Sequence, residues 1–147
     1  MKLFQIEEPE GGPIESDGPG AAVGIDLAGA VAISAGGNPE LLRGRDGAVW
    51  SEPADPAALL ATLKARAEQA LARPVTHAVI ASDGVDAAVI ERAAADAGLT
   101  VLRLVSGAEA AALVRGVEAQ AAPALGAAVL AEDLAAGLAS APSMTER

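Results

Sequence analysis

Short apolar runs and longer amphipathic stretches alternate along the chain from about residue 21 onward. Apolar runs of strand length occupy residues 21–27, 30–35, 76–81 and 100–105, with weaker candidates at 41–43 and 48–50. Residues 56–72 repeat apolar side chains at helical spacing, behind Asp55 as N-cap and Pro56 at the first helical position. Further helices are predicted at 83–97, 108–117 and 123–138. The pattern predicts the order β-β-β-α-β-α-β-α-α.

This order predicts an α/β fold of the ribonuclease H-like class. A meander of three strands would lead into two strand–helix units with right-handed crossovers, giving a mixed five-stranded sheet. One of the two weaker strand candidates would complete the meander, with Asp46 and Gly47 as a turn between them. Proteins with unrelated functions share this arrangement, so the fold alone selects no function.

The composition also predicts the domain boundaries. Residues 7–20 hold five acidic residues and three prolines, which favours a flexible leader over residues 1–20. We expect one compact ribonuclease H-like domain over residues 21–139 and a frayed tail over 140–147. A domain near this size buries roughly 68–70% of its unfolded surface and can fold without disulfides.

Composition and charge exclude several classes of function. The chain has no cysteine, which excludes disulfides, thiolate metal sites and iron–sulfur ligation by its own residues. His77 is the only histidine and lies in a predicted strand, where we expect a structural or surface role. A net charge of −10 argues against nucleic acid as a partner, and no apolar run approaches the ~20 residues of a membrane span. We therefore expect a cytoplasmic protein.

Three collinear stretches resemble the DnaK-type heat-shock chaperone family. LFQIEEPEG at residues 3–11, followed by AVGIDL at 22–27, is most similar to the HscA branch, which serves iron–sulfur cluster assembly. Residues 61–113 resemble the helix, strand, helix and strand that follow in the family, and ALGAAVLAEDLAA at 124–136 resembles its closing helix. The resemblance implies the ribonuclease H-like base subdomain of an actin-like ATPase domain.

The same resemblance implies that the ATPase chemistry is lost. The family's Gly-Ile-Asp-Leu-Gly-Thr-Thr phosphate turn is retained at residues 24–27, but Ala28, Gly29 and Ala30 replace Gly-Thr-Thr. Gly107 stands where the family has its catalytic Glu, and the second lobe has no counterpart between residues 116 and 123. We therefore expect no catalytic residue, no metal ligand and no cofactor, with Gly24, Asp26 and Gly29 as a vestigial phosphate loop.

Three functions remain open at this point. The chain could be a non-catalytic, HscA-like accessory or binding protein in iron–sulfur cluster assembly. It could instead bind ATP or ADP with Mg²⁺ weakly, in a cleft completed by dimerisation or by a partner. A more remote alternative is a ribonuclease H-type nuclease with metal carboxylates at Asp26, Glu68 and Asp83.

The missing parts of the family also predict an interaction surface. In the complete ATPase domain those parts cover one side of this subdomain, and an apolar face left uncovered usually marks an interface. We therefore expect a protein partner or self-association, most simply as a two-fold dimer.

Overall fold

The computed structural model describes residues 20–52 and 54–145, with side chains described up to Gly137. It contains nine elements: β1 Ala21–Asp26, β2 Ala30–Ala35, β3 Asn38–Leu41, α1 Pro56–Leu71, β4 Val75–Ala81, α2 Ala87–Ala97, β5 Thr100–Val105, α3 Gly107–Ala111 and α4 Ala122–Thr145. The predicted order of strands and helices is thus confirmed. The predicted leader, apart from Gly20, lies outside the described residues.

The five strands form one mixed sheet in the order β3-β2-β1-β4-β5. β1 pairs antiparallel with β2, and β2 with β3, as consecutive strands joined by tight turns do. β4 pairs parallel with both β1 and β5, because α1 and α2 return the chain to the same end of the sheet before each new strand. This topology confirms the ribonuclease H-like fold class.

The two faces of the sheet are covered by different kinds of helix. α1 and α2 bury large aliphatic side chains against one face, among them Ile25, Leu60, Leu63 and Ile80. α4 covers the other face almost entirely with alanine, at Ala124, Ala127, Ala128 and Ala131. Because alanine adds little bulk, the backbone of α4 lies close to the sheet. None of the helices in the described ranges is both long and apolar enough to cross a bilayer.

The third strand lies earlier in the chain than predicted. Gly36 and Gly37 have positive φ angles of 62° and 80°, which permits a two-residue hairpin turn from β2 directly into β3 at Asn38–Leu41. Pro39 lies opposite Ser34, next to the pair that closes the turn, where a strand residue donates no hydrogen bond to its neighbour. A proline is therefore tolerated on this edge strand, although its presence in the sequence argues against a strand.

The Asp46-Gly47 turn is present, but it does not join two strands. The Gly47 N–H donates to the Gly44 carbonyl at 2.9 Å, and the Gly44 N–H donates to the Ala48 carbonyl at 2.8 Å. The residues on either side, 41–43 and 48–50, are the two weaker strand candidates, one of which was to complete the meander, and of these only Leu41 lies in a strand. The predicted position of the third strand was wrong here, because a favourable turn sequence does not by itself provide the flanking residues with a strand to pair with.

Three helix boundaries also differ from the prediction. α2 begins at Ala87 instead of residue 83, because Gly84 has a φ of +82° in the preceding loop. α3 ends at Ala111 instead of residue 117, and α4 runs on to Thr145, beyond its predicted end near residue 138. Fraying of residues 140–147 stays a prediction.

Candidate functional site

The turn between β1 and β2 is the predicted phosphate loop, and its backbone donors are already engaged. The Leu27 N–H donates to the Ala81 carbonyl at 3.0 Å, and the Gly29 N–H donates to the Asp26 carbonyl at 2.8 Å. The Ala28 N–H donates to Asp26 Oδ1 at 2.9 Å. A phosphate-binding turn presents such N–H groups to its ligand. In this conformation, three successive N–H groups instead satisfy acceptors of the chain itself.

Gly29 is required by the packing of the loop that precedes α1. Its φ is +127°, and a Cβ at this position would lie 2.8 Å from the Ser51 carbonyl oxygen. Its own carbonyl accepts the Ser51 N–H at 2.8 Å. A side chain would therefore clash with backbone, so the glycine is explained without any ligand.

Gly24 is buried beneath α4. A Cβ at Gly24 would lie 2.1 Å from the nitrogen of Ala128 and 2.5 Å from the carbonyl carbon of Ala127. The missing side chain allows the last helix to lie directly on the central strand. Of the three residues predicted for the vestigial phosphate loop, Asp26 lines a surface cavity. A role of the three residues in phosphate binding stays a prediction.

Two carboxylates meet at the carboxyl edge of the parallel strands. Asp26 ends β1 and Asp83 follows β4, and both line a cavity of about 240 Å³ with Ala28, Ser82 and Val85. Burial raises the pKa of Asp26, the Ala28 N–H lowers it, and the Asp83 charge raises it further. The Ser82 hydroxyl is buried without a hydrogen-bond partner. This edge therefore combines a half-buried carboxylate, a second negative charge and an unsatisfied hydroxyl.

Gly107, which the resemblance aligns with the family's catalytic Glu, contacts the side chain of Asp83. Its N–H donates to Asp83 Oδ1 at 3.1 Å, and a Cβ here would lie 2.6 Å from Asp83 Oδ2. Glu109 is used elsewhere: its carboxylate accepts the Ser106 N–H at 2.9 Å, while its own N–H donates to the Ser106 hydroxyl. This capping box is readable from the Ser-x-x-Glu spacing and fixes the start of α3.

Glu68 does not join the other two carboxylates, so the predicted nuclease cluster is wrong. Its carboxylate accepts from Lys64 Nζ at 2.9 Å and from the Val75 N–H at 3.0 Å. Val75 begins β4, whereas Asp83 follows the end of that seven-residue strand, roughly 20 Å away along the sheet. Within the described ranges, no group of three or more His, Asp or Glu residues is placed to hold a metal ion.

The residues at the β1–β2 turn do not fit a nucleotide phosphate. Ala28 and Ala30 carry no hydroxyl, and the N–H groups of residues 27–29 are internally bonded. The Asp26 and Asp83 carboxylates, on the other hand, are of the chemical type that binds a hard cation or its water shell. The carboxyl edge of the parallel strands therefore suits a bound cation better than it suits the phosphate of a nucleotide.

Glu132 is a structural anchor that sequence reasoning missed. Its carboxylate accepts from the Ser34 hydroxyl at 2.8 Å, the Gly36 N–H at 2.6 Å and the Gly37 N–H at 2.9 Å. The Gly37 N–H, the Ser34 hydroxyl and the Gly36 N–H, in that order, lower the pKa of Glu132. The helix α4 is therefore fastened to the β2–β3 hairpin, although nearly 100 residues separate the two.

The connector between α3 and α4 exposes large apolar side chains. Leu113 and Val117 are 47% and 39% exposed. Together with Pro39 and Val129 they line an open cavity of about 470 Å³ beside the edge strand β3. This connector lies where the resembling family has its second lobe, and we call Leu113 and Val117 the connector patch.

This chain is similar to known proteins in one family model and among solved structures. The family model described as Hsp70 protein matches residues 24–138. One similar solved structure is the ethanolamine utilization protein EutJ from Carboxydothermus hydrogenoformans, with 24% identity and a TM-score of 0.45 over 68% of this chain. The match covers 41% of the EutJ chain. A comparison with curated protein sequences finds no significant match. Because the family model covers most of the sequence, the chain belongs to the Hsp70 protein family.

Proposed function

We propose that this chain is a non-catalytic Hsp70-type module that acts by binding another protein. The observation that carries the proposal is the β1–β2 turn, whose N–H groups at Leu27, Ala28 and Gly29 all donate within the chain. Gly107 supports it, since the resemblance aligns this residue with the family's catalytic Glu and a glycine offers no carboxylate. What the chain retains of the family is a sheet, its covering helices and their outer surfaces.

Calorimetric titration with ATP and with ADP, each in the presence of Mg²⁺, tests the loss of nucleotide chemistry. We expect no saturable heat and no phosphate release in a single-turnover assay. A dissociation constant below about 10 μM, equivalent to roughly −7 kcal/mol, would overturn the proposal. Asp26→Asn is the matched variant, because any specific nucleotide binding at the turn should change when this carboxylate is neutralised.

The connector patch supports binding of a protein, with a second copy of the chain as the simplest partner. Exposed aliphatic side chains lose water on association, and two-fold symmetry is the commonest arrangement. Light scattering at tens of micromolar should give twice the 14.4 kDa chain mass, and Leu113→Ser with Val117→Ser should return the monomer. Val85→Ser with Val89→Ser, two other exposed valines, is the control and should leave the dimer intact. A monomeric wild type would exclude the dimer.

A finer proposal places the module in iron–sulfur cluster assembly in the cytoplasm. It rests on the resemblance of residues 3–11 and 22–27 to the HscA branch. Since the chain has no cysteine, its contribution would be to bind a protein that carries the cluster. Biolayer interferometry against an iron–sulfur scaffold protein and a J-domain co-chaperone tests this, and absence of binding to both would remove the support for this pathway.

The carboxylate pair favours one alternative, a weak nucleotide–Mg²⁺ module completed by a second chain. Asp26 and Asp83 line the same cavity at the edge of the sheet where the first strand ends. If this alternative holds, calorimetry should show weak binding of Mg-ATP that rises with protein concentration as chains associate. Asp26→Asn and Asp83→Asn should each abolish that heat, while ATP without Mg²⁺ should give none.

A further inference from the structure

A polar groove lies between α1 and the loop that follows β3. Its volume of about 520 Å³ is within the range of roughly 300–1,000 Å³ that is usual for ligand sites. Two cationic side chains line it, Arg45 from the loop and Arg66 from α1, together with one acidic side chain, Asp46. The other lining residues are uncharged: Gly44, Thr62, Ala65 and Gln69. In a chain with a net charge of −10, this groove therefore carries a local excess of positive charge.

The guanidinium group of Arg66 is held in place at both ends of its side chain. Its backbone belongs to α1, where Leu63 and Ala67 are fully buried. Its Nη1 donates to the Val49 carbonyl at 2.6 Å, and Val49 packs against the alanine-rich cluster beneath α4. A side chain that is already ordered loses less conformational freedom when it binds a ligand. Arg66 is therefore preorganised for binding.

The side-on edge of the same guanidinium has no partner in the described part of the chain. A Cβ on Gly44 would lie 3.4 Å from Arg66 Nε and 3.6 Å from Nη2, the two guanidinium atoms nearest to it. Neither nitrogen makes a hydrogen bond or an ion pair with residues 20–52 or 54–137. Because Gly44 carries no side chain, this edge stays open to the groove. An arginine edge of this kind binds a carboxylate through two parallel hydrogen bonds.

Arg45 supplies a second cation from a loop that hydrogen bonds hold closed. The Gly47 N–H donates to the Gly44 carbonyl at 2.9 Å, and the Ala48 N–H donates to Asp46 Oδ1 at 2.9 Å. Arg45 lies between these bonded residues, yet its guanidinium has no hydrogen-bond or ion-pair partner among the residues that the structure describes. Both cations that line the groove therefore keep donors that are free to bind a ligand.

Asp46 determines which kind of anion suits the groove. Its Oδ1 would lie 3.0 Å from the same Cβ position on Gly44, so its negative charge is close to the free edge of Arg66. Two positive charges and one negative charge leave the groove with one net positive charge. A carboxylate carries one negative charge and matches this balance. A phosphate group carries roughly −1.5 to −2 near pH 7, so Asp46 would repel it more strongly.

We propose that Arg66 and Arg45 form a binding site for a carboxylate ligand. The carboxylate accepts from Arg66 Nε and Nη2, and Arg45 adds a second charge-assisted contact. The Thr62 hydroxyl and the Gln69 amide, which have no partner in the described part of the chain, border the ligand. The carboxylate belongs either to a small organic acid or to a glutamate of a peptide. The site is separate from the connector patch, so its occupation does not depend on dimerisation.

Side-chain NMR of the full-length chain, labelled with ¹⁵N, tests this site. The probes are sodium acetate and the peptide acetyl-Gly-Glu-Gly-amide, each titrated at constant ionic strength maintained with sodium chloride. Each probe should move the Arg66 Nε–H signal and the Gly44 amide signal along a curve that saturates. Equal affinity for the two probes assigns the site to a small acid, whereas tighter binding of the peptide assigns it to a carboxylate on a protein.

Two variants distinguish a built site from general attraction between charges. Gly44→Ala keeps both arginines but places a methyl group beside the free edge of Arg66, and it should weaken acetate binding about tenfold or more. Its nearest neighbour is the end of the Asp46 side chain, which can move aside. Asp46→Asn should tighten binding, because it removes a like charge while its amide oxygen can still accept the Ala48 N–H.

A matched pair of arginine variants completes the experiment. Arg45→Gln should weaken acetate binding, whereas Arg103→Gln, an equal charge change at an exposed arginine of β5, should leave it unchanged. An Arg66 signal that moves linearly with acetate, or equally with sodium chloride alone, would overturn the proposal. So would equal affinity in the wild type and in Gly44→Ala. If Gly44→Ala does not fold, Arg66→Lys takes its place, since lysine keeps the charge without the paired donors, and unchanged affinity there would have the same meaning.

Discussion

Gly24 offers the sharpest test of how the last helix packs on the central strand. In Gly24→Ala the new Cβ would lie 2.1 Å from the Ala128 nitrogen, and the separation must grow to at least 3.4 Å for ordinary contact. The atoms in the way are helix backbone, so no side-chain rotation relieves the clash. Overpacking of a core costs about 1–3 kcal/mol, and we expect the upper end of that range here. This is a large part of a typical total stability of roughly 5–15 kcal/mol.

The assay is equilibrium unfolding in urea, followed by circular dichroism and by the fluorescence of Trp50. Trp50 packs against the cluster beneath α4, so it reports on the same contact. In thermal unfolding followed by the same two signals, the melting temperature should fall by roughly 6–12 °C, given about 2–4 °C per kcal/mol for a chain of this size. Gly137→Ala lies in α4 itself, with nothing within 4 Å of the new Cβ, and should be neutral or stabilising by up to about 1 kcal/mol. If Gly24→Ala lowered the free energy of unfolding by less than about 0.5 kcal/mol, the close packing of α4 on β1 would be refuted.

Three further predictions concern single carboxylates. Because the pKa of Glu132 is lower in the folded state, its carboxylate stabilises the fold above the pKa of the unfolded state, and this stabilisation is lost as the pH falls through the folded-state pKa. In urea titrations at several pH values, Glu132→Gln should therefore lose less stability than the wild type below roughly pH 4.3. An equal dependence of stability on pH in the two proteins would contradict this. Because the folded pKa of Asp26 is raised, chiefly by burial, its ionised form costs stability above that pKa. Asp26→Asn should therefore stabilise the fold at pH 7, with a gain that shrinks towards pH 4, and a deficit at both pH values would argue against it. Asp55→Ala removes the cap bond to the Ala58 N–H at 2.8 Å and should cost about 0.5–2 kcal/mol in chemical unfolding; Asp86→Ala, at an N-cap without a side-chain bond, should cost less.

The elements that sequence predicted well are those determined by local pattern. β1, β2, β4 and β5 are mostly apolar runs, and α1 begins at Pro56, directly after its N-cap Asp55, as the capping signal predicts. Each of these signals is contained within a few residues, so the local sequence is enough to predict the element. The order of the elements then restricts the topology, because parallel neighbours need crossovers.

The features that sequence did not predict depend on contacts between distant residues. β3 exists because a two-glycine turn folds it onto β2, in spite of Pro39. Glu68 has suitable chemistry for a metal site, but its helix places it at the wrong end of β4. Gly24 fits a phosphate motif by sequence, whereas its position is explained by the backbone of α4, more than 100 residues later.

The packing of α4 has a consequence for how the chain folds. This helix covers β1 and β2, which are synthesised well before it, and the Ser34–Glu132 bond closes a separation of 98 residues. Contacts of such long range slow folding, because the entropy of closing a large loop is lost before the contact is gained. During synthesis, the alanine-lined face of the hairpin, including Ala30 and Ala32, must stay uncovered until α4 has emerged. This face of the sheet is therefore covered only after α4 has left the ribosome.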